Sequence, residues 1–218
     1  MSKEVLPGSC RGVCVKRLTN CIGAWHKRPY TGFTLIELVV VFGLILVLSG
    51  LVLSTVGYVR KKGARARAET EIAAMAAALE SYKADNAAYP SSGNTNNLDA
   101  RTNGNSSSPS YNLASLDLYN ALFGTTNGSR TPDTGARSYF VFKPNMLFPK
   151  DQSQNVLYIQ DPFGNSYGYS TAGNPQANPN PTGTPGYNPT FDLWSTVGLT
   201  NDPPPTNDTI TPQWIKNW

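Results

Sequence analysis

Apolar side chains are spread unevenly along this chain of 218 residues. From Leu38 to Val59 there are 22 consecutive residues without a charge, against the roughly 20 that a helix needs to cross a hydrocarbon core. The run predicts a membrane-spanning helix. The alternative, a buried core helix of a soluble protein, would be shorter and broken by polar residues. Further on, Ile72, Met75, Leu79 and Tyr82 recur at spacings of three and four within an alanine-rich stretch, one apolar stripe on a strongly helix-forming background. That stripe predicts packing on a sheet. Asn86 and Pro90 supply a stop signal. An unbroken helix from about Leu35 to about Asn86 would be on the order of 75 Å long at 1.5 Å per residue.

After Pro90 the pattern changes. Residues 91 to 135 are rich in Ser, Asn, Gly and Thr, interrupted by "LASLDLYNALFG", which predicts a short helix closed by Gly124. Then "SYFVF", "VLYIQ", "SYGYS" and "FDLWS" follow as short aromatic and β-branched runs between turn signals. They predict a small antiparallel sheet with long loops. In "DPFGNSYGY", Asp161, Pro162 and Gly164 carry turn chemistry while Tyr167 and Tyr169 alternate onto one face.

The net charge of +4 suggests nucleic acid only until its distribution is examined. Residues 1 to 32 hold six basic side chains and one acidic one, and the rest holds twelve basic and thirteen acidic. Nothing after residue 32 forms a phosphate-binding surface for nucleic acid, apart from the short cluster Arg60, Lys61, Lys62, Arg65 and Arg67. That cluster reads as membrane-surface anchoring, with a solvated helix turn as the alternative. Because it follows the span as densely as the basic leader precedes it, loop charge gives little guide to orientation. Cys10, Cys14, Cys21 and the single histidine, His26, also lie in the leader. Their spacing reads as unpaired thiols rather than a zinc site. Beyond residue 32 there is no imidazole or thiol, which excludes histidine-dependent hydrolysis and cysteine nucleophiles there.

The segment "KRPYTGFTLIELVV" resembles the prepilin signal, in which a peptidase cuts between Gly and Phe on the cytoplasmic side and methylates the new amino terminus. Lys27 and Arg28 precede Gly32, Phe33 becomes the first residue, and Glu37 becomes the fifth. A residue without a side chain at Gly32 lets the backbone enter a narrow cleft extended. "LESYKADNAAYP" and "DPFGNSYGY" are similar to segments of the major pseudopilins of type II secretion systems. The resemblance implies an α+β, type IV pilin-like fold, a long helix packed on a small antiparallel sheet. It divides the chain into a cleaved leader (1–32), a membrane half of the helix (33–59), a soluble half (60–90) and a periplasmic head (91–218).

The resemblance also implies function. The chain would be a structural subunit, not an enzyme, of a periplasmic pseudopilus that drives protein export. Its partners would be the prepilin peptidase, identical and minor pseudopilins, the inner-membrane assembly platform and the lipid bilayer, without nucleic acid. It would sit as a single-pass protein of the bacterial inner membrane, leader cytoplasmic and head periplasmic. Glu37 would pair with the Phe33 amine of a neighbouring subunit; snorkelling to the headgroups is the alternative. Ser195, Gly198, Asn217 and Trp218 keep the outline of the family's ending. The loop between them departs from it, with three successive prolines and only Asp202 and Asp208 as carboxylates. The resemblance assigns calcium there, whereas a shell of six to eight oxygens would need amides, carbonyls and waters besides. A stiff, proline-braced loop is the other reading. Ser54 stands where the family usually has a proline, and Gly43, Gly50 and Gly57 recur every seven residues, a face suited to close helix packing. A type IV pilin or minor pilin, which usually ties its C-terminal region with a disulfide, and a membrane-anchored glycan- or ligand-binding module are the other functional readings.

Overall fold

The computed structural model describes residues 32–181, 183–199 and 213–218. A helix, α1 (Leu35–Asn86), is followed by α2 (Gly93–Asn97), α3 (Pro109–Phe123) and five short strands. These are β1 (Leu147–Phe148), β2 (Tyr158–Ile159), β3 (Gly168–Ser170), β4 (Asp192–Ser195) and β5 (Ile215–Lys216). All pairings are antiparallel: β1 with β2 in one sheet, and β3, β4 and β5 in order in the other. The architecture is therefore α+β, a long apolar helix followed by small antiparallel sheets.

Residues up to Ser49 and those from Gly50 onward form two units. In the first, every described side chain is exposed, and α1 is long and apolar enough to cross a membrane. In the second, α1 buries Ala68, Glu71, Ile72, Met75, Ala78 and Leu79, while Tyr82 is half-buried. These meet Leu118, Leu122, Ile159, Tyr167, Tyr169 and Leu193 in one core. The expected stripe is present, and it includes a carboxylate. Glu71 Oε2 accepts from the Tyr167 hydroxyl at 2.8 Å and Oε1 from Arg67 Nε at 2.6 Å. Burial of a charge is tolerated when its lone pairs are filled in this way.

Helix α1 ends as the sequence predicts, at Asn86. The stop is made by Ala87, whose φ is 60° and whose N–H donates to the Lys83 carbonyl at 2.8 Å. A left-handed residue with a Cβ costs about 1–2 kcal/mol. Glycine there would remove that strain and restore about 0.4–1 kcal/mol of unfolded-chain entropy against itself. Ala87→Gly is thus expected to stabilise the head by a net 0.5–1 kcal/mol or so, read as a higher denaturant midpoint with an unchanged slope.

The predicted strand over 138–142 is not a strand. The N–H groups of Tyr139 and Phe140 both donate to the Leu122 carbonyl, at 2.8 and 3.1 Å, so this segment caps the end of α3 instead of joining a ladder. Its aromatic side chains follow: Phe142 packs on Tyr119 and Phe123. The partner of β2 is instead Leu147–Phe148. Gly124 closes α3 with a φ of 82°, as its position predicts.

The larger sheet is built around Trp194, fully buried on β4. Gly168 lies opposite it in register, where a Cβ would run into the indole, so no larger residue fits without moving the ring. The C-terminal Asn217 extends the ladder by its side chain, its Oδ1 accepting from Leu193 N at 2.8 Å and its Nδ2 donating to the Phe191 carbonyl at 3.1 Å. Trp218 stacks on Tyr187 with ring centres 4.7 Å apart.

Candidate functional site

Gly32, Phe33 and Thr34 precede the first turn of α1, and Phe33 is exposed. The sequence "TLIE" places a threonine three residues before a glutamate, the pattern of a capping box. The structure forms it. Thr34 Oγ1 accepts from Glu37 N at 3.3 Å, while Glu37 Oε2 accepts from Thr34 N and from Thr34 Oγ1, both at 2.8 Å. An acidic side chain in the first turn also meets the favourable end of the helix dipole. Phe33, Ile36, Glu37, Val40 and Val41 line a shallow, mainly apolar groove of about 340 Å³. A single carboxylate thus lies at the head of an exposed apolar helix, already hydrogen-bonded within its own turn.

Of the residues expected to act here, Gly32, Phe33 and Glu37 lie within the first turn and its approach. The Phe33 nitrogen is still an amide joined to Gly32, so the ammonium expected to pair with Glu37 exists only after cleavage. Thr34 is the member that the sequence reading missed, and the threonine-to-glutamate spacing was its signal. Asp202 and Asp208 lie outside the described residues. Among the described residues no group of three His, Cys, Asp or Glu side chains could hold a metal.

The N-terminal sequence has counterparts among known proteins. Residues 27–53 match the prokaryotic N-terminal methylation motif. The chain carries a prepilin-type signal. It is also similar to the type II secretion system core protein G of Pseudomonas aeruginosa, 42% identical over 66 residues, which is 30% of this chain and 46% of that protein. The type II secretion system core protein G of Aeromonas hydrophila is 35% identical over 84 residues, 38% of this chain and 57% of that protein. The chain thus spans about half the length of the curated relatives it matches. No solved structure matches it. The expected resemblance to major pseudopilins is upheld by these matches, and neither a pilin of another filament nor a glycan-binding module is favoured.

In the head, the "DPFG" turn is fastened to the end of β4. Asp161 Oδ1 accepts from the N–H groups of Phe163 and Asn165 at 3.0 and 2.8 Å, and Oδ2 accepts from the Ser195 hydroxyl at 2.5 Å. Ser195 Oγ in turn accepts from Val197 N at 3.1 Å. These contacts give Asp161 and Ser195 structural roles.

Two carboxylates in this region titrate above the ordinary aspartate range, Asp161 and Asp192, each chiefly because burial disfavours its charged form. For Asp192 the N–H donors of Tyr187 and Asn188 oppose that shift without cancelling it. A folded-state value raised above the unfolded one means that the native state holds the proton more tightly. The contribution is therefore fully present below the unfolded value near 3.8 and is lost as pH rises through the raised folded value. The stability of the wild type relative to Asp192→Asn is expected to fall between acidic and neutral pH, measured as the difference of their thermal midpoints across that range. A constant difference would place the Asp192 titration in the ordinary range.

Proposed function

We propose that this chain is a structural subunit of a type II secretion pseudopilus, made as a precursor and cut between Gly32 and Phe33. The observation that carries the reading is the N-terminal arrangement: the methylation-motif match over residues 27–53, with Glu37 alone at the head of a 22-residue uncharged run. Similarity to two core proteins G supports it. In this reading the peptidase binds the leader on the cytoplasmic side and the head lies in the periplasm. Identical and minor pseudopilins, together with an inner-membrane platform, complete the assembly. No step requires a reacting side chain. The head and the apolar helix act by packing, and growth of the filament moves folded proteins outward.

Such packing needs registration. Apolar helices in lipid gain little from one axial position over another. A carboxylate at the bilayer centre costs about 2.5–3.5 kcal/mol on insertion scales, and its hydrogen bonds to Thr34 lower that cost before processing. Cleavage then supplies the ammonium of Phe33, and pairing between Glu37 of an arriving subunit and the Phe33 amine of its neighbour satisfies both charges at one height.

Deleting this chain in its host tests the reading. Folded exoproteins should then accumulate in the periplasm while any surface pili persist. Loss of surface pili with export intact would instead favour a type IV pilin.

A further inference from the structure

We infer that the base of the head holds the headgroup of an anionic phospholipid in a groove shared by α1 and the sheet end. The inference relies on the proposed function only for placing α1 in a membrane. Tyr58, Lys61, Lys62 and Arg65 recur at intervals of three, one and three residues, so they lie on one face of α1. Opposite them stand Phe163, from the Asp161 turn, and Val197, just after β4. Together they bound a groove of about 530 Å³, within the roughly 300–1,000 Å³ typical of small-molecule sites.

The chemistry of the two walls is complementary to a lipid. Among its described lining residues are three cations and no carboxylate. Arg65 donates through Nη1 to the Gln213 carbonyl at 3.0 Å and meets the exposed Glu69 at 3.4 Å, which fixes its guanidinium beside the groove. Lys61 and Lys62 make no ion pair among the described residues. Phe163, Val197 and the Tyr58 ring supply apolar surface. Val197 holds a φ of 59°, a region that a β-branched residue rarely adopts, and its N–H is tied to Ser195 Oγ.

The position in the chain selects the ligand. The uncharged run ends at Val59, and Lys61 follows two residues later, about 3 Å along the helix axis at 1.5 Å per residue. The cations therefore lie where the hydrocarbon gives way to phosphate. The phosphate would lie among Lys61, Lys62 and Arg65, with glycerol and the first methylenes against the apolar wall. The basic cluster is thus half of a built groove, whose other half comes from a turn about 100 residues further along the chain.

Full-length protein in nanodiscs of equal phosphatidylcholine and phosphatidylglycerol tests this by native mass spectrometry of the retained lipid. Phosphatidylglycerol should be retained about five-fold over phosphatidylcholine. The preference should vanish in Lys61→Gln with Lys62→Gln, survive in the paired Arg variants, and vanish also in Phe163→Ala. Val197→Gly removes a wall side chain while relaxing the backbone, so it should abolish the preference in a folded head, as checked by near-ultraviolet circular dichroism. A preference that survives both wall variants would mean a diffuse basic surface and overturn the groove. Absence of preference in the wild type, or complete displacement of lipid by millimolar inorganic phosphate, would overturn the lipid assignment. Leader cleavage and secretion are scored separately. A chain that is cleaved and supports export without lipid preference would refute this inference alone.

Discussion

Glu37→Ala is expected to be inserted, cleaved and folded, yet to be absent from filaments and unable to support secretion. The folded head makes no described hydrogen bond to Glu37, whose partners are Thr34 N and Oγ1 in its own turn, so the substitution leaves the core intact. Insertion should improve, because a membrane carboxylate is removed. What would be lost is the inter-subunit pair proposed to form after cleavage, and breaking a buried pair costs about 3–5 kcal/mol. At about 1.4 kcal/mol per tenfold, that is at least a hundredfold in subunit addition. Glu37→Asp should be impaired because its carboxylate falls one methylene short. Glu37→Gln separates the two roles that the structure gives this side chain: it retains the capping box but not the charge. Assembly should fail with Gln as well as Ala. Filaments of normal length from the Gln variant would assign registration to the cap and not to the ion pair.

The second large effect is expected in the head, where Trp194→Ala should lower stability by about 3–5 kcal/mol, the usual range for removing a buried aromatic. Trp194 is fully buried on β4 opposite Gly168. Its Nε1 donates to the Tyr111 hydroxyl at 3.1 Å, its ring stacks on Trp214 at 6.2 Å, and Tyr111 and Trp218 meet its edges. One side chain thereby joins α3, both neighbours of β4 and the C-terminal segment. Its removal should leave a cavity that these rings cannot close. A fall in thermal midpoint on the order of 10 °C is expected for a domain of this size. Gly168→Ala should cost about 1–3 kcal/mol through the opposite fault, a methyl driven into the indole. A fall of only a degree or two for Trp194→Ala would show that the sheet does not depend on the indole.

The parts of the fold that were legible in the sequence are those whose periodicity outlasts a few residues. The long helix was read from its uncharged run, its alanine background and the stripe through Ile72, Met75 and Leu79. Helix α3 was read from the segment "LASLDLYNALFG" within a polar stretch and from its closing Gly124, which missed its first turn from Pro109. Glu71 escaped notice because a carboxylate inside a buried stripe reads as a surface position until its partners Arg67 and Tyr167 are brought together. Residues 138–142 misled because aromatic density signals burial in general and not a ladder; here they cap α3. Strand β1 has two residues, too few for any alternation to register, and α2 is made of polar residues held by the cap at Ser92, whose Oγ accepts from Asn94 N and Thr95 N. At the N-terminal site, the charge of Glu37 was conspicuous against its apolar surroundings. Thr34 was less so: its signal was the three-residue spacing to Glu37, which marks a capping box only once a helix start is placed there.

On the proposed reading the functional chain begins at Phe33. Intact-mass spectrometry of protein extracted from membranes of cells with an active prepilin peptidase tests it most directly. A single species lacking residues 1–32 and bearing a methyl group on the Phe33 nitrogen is expected. A mass that retains those residues would contradict it.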